Sequence, residues 1–367
     1  MSEENKNHGL RTEPKQVATE EMTGGISIGL IGNDPETEET RFLLTPEACG
    51  MITSSGIRIR MESGAAIDIS FKDEDYAGFG VEIVSRQEAL KADIVLSYLP
   101  PSDKDIEQMR DGCAMLTMMD HSLFERKIIE TLLSKRISLG CLDNMCSHND
   151  EPVFANIIDE IDGRAAVMYA EDYLSFLGGG KGVLLAGVAG INPCEVLVIG
   201  DGNDVYAACN AAIAAGATVT LMNNDISALQ IARQCCGERL TTLAIYPRVL
   251  FNKVKTADVI FLGTCTRPFE MPRKLSVAMK ESVYLLDLQE SHPSVTVPRT
   301  VAMAISNVLV NFFDELLIKD DFDGMVNGTP GVQCGMVTYK GKLVDKLVAS
   351  YLTMPSVDIN VMIASSN

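Results

Sequence analysis

The chain has 367 residues, of which 46% are hydrophobic and 22% are charged, so it is long and apolar enough for two domains with separate cores. Its formal net charge of −19 argues against a nucleic acid or an anionic membrane surface as a partner. No apolar run reaches the roughly 18 residues of a membrane span, and the ten cysteines show neither CxxC nor metal-ligand spacing, so we expect a cytoplasmic protein with reduced thiols.

The first part of the chain alternates between strand-like and helix-like segments. Residues 1–25 are polar and aperiodic, and we expect a disordered tail there. Thr45 followed by Pro46 predicts a helix start, because threonine caps helices and proline suits their first position. This alternation predicts a parallel α/β sheet. The predicted strands are residues 26–31, 57–61, 81–84, 94–99, 114–118 and 137–142, and the predicted helices between them include residues 87–91, 102–109 and 122–134.

A second alternating series follows a long predicted helix at residues 160–177 and a glycine-rich crossing at residues 178–190. A long helical segment is predicted at residues 301–319, and the remaining tail, which includes residues 338–339 and 342–351, is expected to form one more helix and an extended end. The strands of the second series are predicted at residues 196–199, 218–222, 239–244, 259–263 and 283–288.

One turn in the second series has the form of a dinucleotide site. A buried strand at residues 196–199 leads into Gly200-Asp201-Gly202 and an Ala-rich helix that Gly216 ends. Such a strand, glycine turn and helix usually hold a pyrophosphate at the helix N-terminus. The candidate cofactor-binding residues are therefore Gly200, Gly202, Asn203 and Asn223, and the cofactor would be NAD or NADP.

The same turn departs from the dinucleotide fingerprint. The third glycine position is Val205, and the strand that should end in an acidic residue ends in Asn223. Asp201 and Asp204 place two carboxylates beside the expected pyrophosphate, which like charges disfavour. The residues predict the fold here but leave cofactor binding open.

Three further segments carry a family resemblance. Residues 38–46 (EETRFLLTP), residues 162–166 with 179–190 (DGRAA and GGKGVLLAGVAG), and residues 297–300 with 337–339 (VPRT and VTY) are similar to signatures of the alanine dehydrogenase and transhydrogenase α-subunit family. The resemblance covers about residues 26–350 and is closest to the alanine dehydrogenase branch.

Membership implies an α/β protein with two Rossmann-like, doubly wound parallel-sheet domains and a cleft between them. It implies a discontinuous first domain (residues 26–155 plus 308–367), an NAD(P)-binding second domain (residues 156–307) and a homo-oligomer. Family enzymes oxidise L-alanine to pyruvate and ammonia by hydride transfer to NAD. They hold the substrate with an arginine, a lysine, a histidine and an aspartate.

Most of these groups are replaced here. The substrate arginine matches Arg41, whose planar guanidinium suits a carboxylate, but the lysine falls on Leu99. The histidine falls on Asp120, with His121 one residue later, and the aspartate falls on Ser291. A strand and loop that the family carries before residues 297–300 are missing.

Two hypotheses remain. In the first, the chain is an NAD(P)-dependent dehydrogenase of a small amino acid or 2-oxo acid, in which Arg41 holds the carboxylate and His121 or Asp120 moves the proton. His292, in a proline-bounded turn, is a further candidate. In the second, the chain is a non-catalytic descendant that binds a ligand or regulates, because catalytic groups that act as a unit cannot be lost singly without losing most of the rate.

Overall fold

The structure is a computed structural model that describes residues 25–118, 125–147, 149–267 and 269–366. The expected disordered tail, apart from its last residue, and the candidates Asp120 and His121 lie outside the described residues. Elements are numbered in chain order. The strands are β1 Ser27–Leu30, β2 Arg58–Glu62, β3 Glu82–Val84, β4 Ile94–Ser97, β5 Ala114–Thr117, β6 Ser138–Cys141, β7 Glu195–Ile199, β8 Thr218–Met222, β9 Thr241–Leu243, β10 Val259–Leu262, β11 Tyr284–Asp287, β12 Met336–Tyr339 and β13 Lys342–Leu343.

The helices occupy both faces of the sheets and connect successive strands. They are α1 Pro46–Ser54, α2 Asp73–Ala77, α3 Arg86–Ala89, α4 Asp103–Gln108, α5 Arg126–Ser134, α6 Val153–Leu174, α7 Asn203–Ala214, α8 Ile226–Cys236, α9 Pro247–Thr256, α10 Arg273–Ser276, α11 Pro298–Ile318, α12 Phe322–Gly328, α13 Pro330–Cys334, α14 Lys346–Leu352 and α15 Ile359–Ser366.

The described residues form two lobes, each built on a mainly or wholly parallel sheet. The first lobe has the strand order β13-β12-β6-β5-β4-β1-β2-β3, in which β1 to β6 are parallel and β12 and β13 are antiparallel additions. The second lobe has the all-parallel order β11-β10-β7-β8-β9. The strand order reverses beside β1 in the first sheet and beside β7 in the second, which is the doubly wound arrangement. The predicted fold class is confirmed.

The second sheet is one strand shorter than the parallel part of the first. The sheet ends in β11 at one edge and in β9 at the other. After β11, a short 3₁₀ segment, Pro293–Thr296, leads directly into α11. The position equivalent to β6 is vacant among the described strands. The family resemblance implied a missing strand and loop at this point of the chain, before residues 297–300.

The chain passes between the lobes through two long helices. The first half of α6 packs Phe154 and Ile158 into the core of the first lobe, whereas its second half packs Ala166 and Leu174 into the core of the second. Along α11, buried residues from Val301 to Leu316 pack into the first lobe. The expected domain boundaries, 155/156 and 307/308, fall inside these two helices.

By length and composition alone α11 could cross a membrane, and half of its most apolar stretch is buried within the protein.

Local signals account for several element ends. The Thr45 hydroxyl accepts a hydrogen bond from the backbone N–H of Ala48 at 3.4 Å, and Pro46 begins α1, as predicted. Gly216 follows α7 with a φ of 91°, which suits glycine.

The prediction for the C-terminal tail was wrong in two respects. Lys342–Leu343 pairs with β12 as an edge strand, so the helix is limited to Lys346–Leu352. The expected extended end instead contains α15. Strand pairing through the turn at Gly341, where φ is 81°, overrides the local helical pattern.

Candidate functional site

A cleft of about 410 Å³ lies between the lobes. It is lined by residues that follow strands of both sheets, including Tyr98 after β4 and Thr264 after β10, and by one face of α6. Doubly wound sheets bind ligands at the carboxyl ends of their strands, near the point where the strand order reverses. The cleft is therefore the expected place for a ligand.

Arg41 lies at one side of this cleft and is tightly held. Its Nε and Nη2 donate to the two carboxylate oxygens of Glu39 at 2.8 and 2.6 Å, and its Nη1 donates to the Ser294 hydroxyl at 2.9 Å. The guanidinium carbon lies 4.5 Å from the centroid of the Tyr98 ring. Arg41 is only 6% exposed. Burial lowers its pKa, but the bond to Glu39 and the nearby carboxylates outweigh this and raise the pKa above its ordinary value.

The Glu39 pair leaves part of the guanidinium available. An arginine has five N–H donors, and these three contacts leave one on Nη1 and one on Nη2. Two donors at that end can chelate a carboxylate. Glu39 thus fixes the orientation of Arg41 and compensates its charge, but does not use all of its donors.

Apart from Arg41, the charged side chains that line the cleft are mostly acidic. Asp143, Asp159, Asp162 and Asp204 line it together with Glu39. Burial first, and then Asp204, Asp162 and Asp143, raise the pKa of Asp159 to about 7, while His292 acts in the opposite sense. The pKa of Asp204 is also raised, mainly by burial. The cleft carries more negative than positive side chains.

Asp162 connects the acidic side to Arg41. This residue of α6 is 4% exposed, and its Oδ1 accepts the backbone N–H of Ser294 at 2.7 Å. Its Oδ2 lies 3.9 Å from Nδ1 of His292, which pairs with it electrostatically only when the imidazole is protonated. The structure thus places His292 at the cleft, beside a carboxylate.

The glycine turn after β7 is bonded to the loop that follows β10. The backbone N–H groups of Asp201 and Gly202 donate to the carbonyl oxygen of Thr264 at 2.8 and 3.0 Å. In return, the backbone N–H of Thr264 donates to Asp204 Oδ2 at 2.8 Å, and that of Thr266 donates to Asp201 Oδ1 at 2.7 Å. We call these four hydrogen bonds the turn–loop latch.

The residues present do not fit a dinucleotide pyrophosphate. Such a group needs the amide donors of the glycine turn, and the latch gives two of them to a carbonyl. A Cβ added at Gly200 would lie 2.5 Å from Val205 Cγ2, so the valine fills the space beside the turn. The side-chain amide of Asn203 donates to Asn156 Oδ1 at 2.6 Å, and the side-chain amide of Asn223 donates to the Gly200 carbonyl oxygen at 2.9 Å.

The structure therefore brings together only part of the predicted set. Arg41 lies in the cleft, and Leu99, where the resemblance led us to expect a lysine, also lines it. Gly200, Gly202, Asn203 and Asn223 lie together at the glycine turn, whereas Asp120 and His121 lie outside the described residues.

Asp159 and Asp162 were missed as cleft residues in the sequence analysis, and so was Ser294 as the residue that holds Arg41. Asp159 and Asp162 are three residues apart on α6, a spacing that places two side chains on one helix face and could have been read. Ser294 carries no such signal, because its position depends on the short connection before α11.

Comparison with known proteins agrees with this architecture. The model of the alanine dehydrogenase/PNT N-terminal domain matches residues 31–156, and the model of the C-terminal domain matches residues 166–276. An alanine dehydrogenase of Methanococcus maripaludis is 27% identical over 258 residues, covering 69% of each chain. Alanine dehydrogenase 2 of Staphylococcus aureus is 24% identical over 364 residues, covering 90% of this chain and 97% of the relative.

Solved structures show the same fold at lower identity. An L-alanine dehydrogenase superposes with a TM-score of 0.81 at 20% identity, covering 89% of this chain and 99% of its own. A transhydrogenase from Sinorhizobium meliloti superposes with a TM-score of 0.71 at 16% identity, covering 87% and 100%.

Proposed function

The chain belongs to the alanine dehydrogenase/PNT family, and we propose that it binds a small amino acid in the inter-lobe cleft without transferring a hydride, as a ligand-binding or regulatory member. The observation that carries this proposal is the turn–loop latch, in which the backbone N–H groups of Asp201 and Gly202 donate hydrogen bonds to the Thr264 carbonyl oxygen. A pyrophosphate that displaced this carbonyl would also face the carboxylates of Asp201 and Asp204.

The charges of the cleft support an amino acid over a 2-oxo acid. The two remaining donors of Arg41 would hold a ligand carboxylate, while an α-ammonium would lie towards Asp159 and Asp162. A 2-oxo acid offers only the negative group and leaves the acidic side uncompensated. The relatives from Methanococcus maripaludis and Staphylococcus aureus carry the name alanine dehydrogenase, which supports a small amino acid as the ligand class.

The cleft residues also argue against efficient hydride chemistry. A hydrophobic Leu99 lines the cleft where the family resemblance expects a lysine, and an aliphatic side chain cannot polarise a carbonyl or amine. Catalytic groups that act together are not replaced singly without a large loss of rate.

One observation favours a second candidate, a nicotinamide-dependent oxidoreductase of a small amino acid or 2-oxo acid, using NAD or NADP. The pKa of Asp159 is about 7, which suits a group that exchanges a proton near neutral pH. Asp159 lines the same cleft as Arg41. It could therefore serve the acid–base role for which His121 and Asp120 were considered. Under either candidate we expect a homo-oligomer, which light scattering would measure.

Calorimetric titration separates the two candidates. We expect L-alanine to bind more tightly than pyruvate, with no heat from millimolar NADH or NADPH and no alanine-dependent formation of NADH. Cofactor binding together with such turnover would establish the oxidoreductase instead. Absence of binding by any amino acid tried would refute the ligand-binding proposal.

A further inference from the structure

We propose that the cleft selects an amino acid with a second positive charge, that is, a diamino acid with an ammonium group at the end of its side chain. This inference rests on the proposed function, since it assumes that an amino acid occupies the cleft. It goes further by naming the charge of the ligand's side chain.

The first support is the charge distribution of the cleft. Glu39 already compensates the guanidinium of Arg41 through two hydrogen bonds. Asp159, Asp162 and Asp204 also line the cleft, and among the described residues that line it Arg41 and His292 are the only basic ones. A ligand α-ammonium compensates one of these carboxylates. A second ammonium would compensate another, whereas a neutral side chain would not.

The second support is an unsatisfied buried oxygen. Asp204 is 2% exposed, and although its Oδ2 accepts from Thr264, its Oδ1 has no hydrogen-bond partner among the described residues. A buried acceptor without a donor costs about 1–3 kcal/mol. Asp204 lines the cleft, but Oδ1 itself has almost no exposed surface, so an ammonium donor of a ligand would satisfy this oxygen after a small rotation of the carboxylate.

The size and composition of the cleft fit such a ligand. A volume of about 410 Å³ lies within the usual range of small-molecule pockets and exceeds what alanine needs. A metal ion is the other cation that carboxylates attract. The described residues contain no group of three or more side chains suited to hold one. An organic ammonium is therefore the better match.

The test compares L-lysine with L-norleucine, which has the same chain length but no side-chain ammonium, by calorimetry on the full chain. We expect L-lysine to bind about tenfold more tightly, which corresponds to about 1.4 kcal/mol. Equal affinity would overturn the charge inference while leaving the proposed function standing. Failure of both amino acids, and of L-alanine, to bind would overturn both.

Two variants locate the selectivity. Asp204→Asn and Asp159→Asn should each reduce the affinity for L-lysine at least about fivefold while changing that for L-norleucine less than about twofold. The matched control is Asp111→Asn, because Asp111 is 79% exposed and is not among the residues that line the cleft. Circular dichroism would verify that each variant folds. If folded variants of both cleft residues keep the full preference for L-lysine, the assignment is wrong.

Discussion

The carboxylate of Asp162 accepts the backbone N–H of Ser294 at 2.7 Å, and the Ser294 hydroxyl in turn accepts Nη1 of Arg41 at 2.9 Å. Ser294 is fully buried and Asp162 is 4% exposed. This chain of contacts joins α6, which both lobes share, to the short connection before α11 and to the first lobe. The short segment Pro293–Thr296 before α11 thus holds the arginine in place.

Replacing Glu39 should change which ligands Arg41 accepts. Glu39→Gln removes the charge that compensates the guanidinium, so we expect pyruvate to bind about tenfold more tightly, as measured by calorimetry. The buried arginine would lose part of its hydrogen bonding, and we expect the free energy of unfolding to fall by about 1–3 kcal/mol.

The adjacent Glu38 provides a matched control, because it is exposed. Glu38→Gln should leave both the affinity for pyruvate and the stability to urea unchanged. Similar pyruvate affinities in the two variants would mean that Glu39 does not control the charge of this site.

The pH dependence of stability should reveal Asp159. Its pKa in the folded protein, about 7, lies above the ordinary value of 3.8. Between these values the unfolded chain loses the proton while the folded protein keeps it, so this group makes the protein less stable as pH rises, and the effect is complete above pH 7. The upper limit of this loss in the free energy of unfolding is about 4 kcal/mol.

Asp159→Asn removes this effect. We expect the variant to gain stability relative to the parent, by at least about 1 kcal/mol more at pH 8 than at pH 5, in urea unfolding. Asp143, Asp162, Asp204 and His292 are present in both proteins, so the comparison isolates one carboxyl group. An identical difference at the two pH values would contradict the raised pKa.

The sequence was sufficient to predict the fold because the relevant signals are local. Short buried strands alternate with capped helices, and Thr45, Pro46 and Gly216 mark element ends through backbone chemistry that acts within a few residues. The tail was misjudged because the pairing of Lys342–Leu343 with β12 is a tertiary contact.

The site was less predictable because its charges come from distant positions. Arg41 and Ser294 are 253 residues apart in the chain, and Asp204 and Thr264 are 60 apart. In the sequence, the carboxylates of Asp201 and Asp204 stand out beside the glycine turn, which the dinucleotide fingerprint locates. The fingerprint could not predict that the Thr264 carbonyl would take the amides of the turn.

The cysteines should differ widely in reactivity. Cys235 and Cys334 are exposed, whereas Cys113 and Cys141 are buried. Burial is the main cause that raises the pKa of Cys113 to about 11 and that of Cys141 to about 12. Because the thiolate is the reactive form, iodoacetamide at pH 8 should label the exposed pair more than about tenfold faster, as followed by mass spectrometry.

Unfolding in urea provides the control for this labelling. There all four thiols should react at similar rates, because burial no longer separates them. Rapid labelling of Cys141 in the native protein would show that the core of the first lobe opens more readily than its burial indicates.

Gly200 should tolerate a side chain less well than a glycine in open space. Its φ is 146°, and an added Cβ would lie 2.5 Å from Val205 Cγ2 and 2.8 Å from the Thr264 carbonyl oxygen. Gly237 also has a positive φ, 75°, but no atom lies within 4 Å of an added Cβ. Both Gly→Ala changes strain the backbone, but only the first also overpacks the turn. We expect Gly200→Ala to cost about 2 kcal/mol more than Gly237→Ala in urea unfolding.

Adding Val205→Ala separates packing from backbone strain. Val205→Ala removes the Cγ2 atom that lies closest to the new Cβ. It should therefore lower the free energy of unfolding less in the Gly200→Ala protein than in the parent. We expect the effects of the two substitutions to be non-additive by at least about 0.5 kcal/mol. The Thr264 carbonyl remains in both proteins, so the coupling reports on the valine that replaces the fingerprint's third glycine. Strictly additive effects would mean that Val205 does not restrict the turn, and the packing argument against a bound pyrophosphate would fail with it.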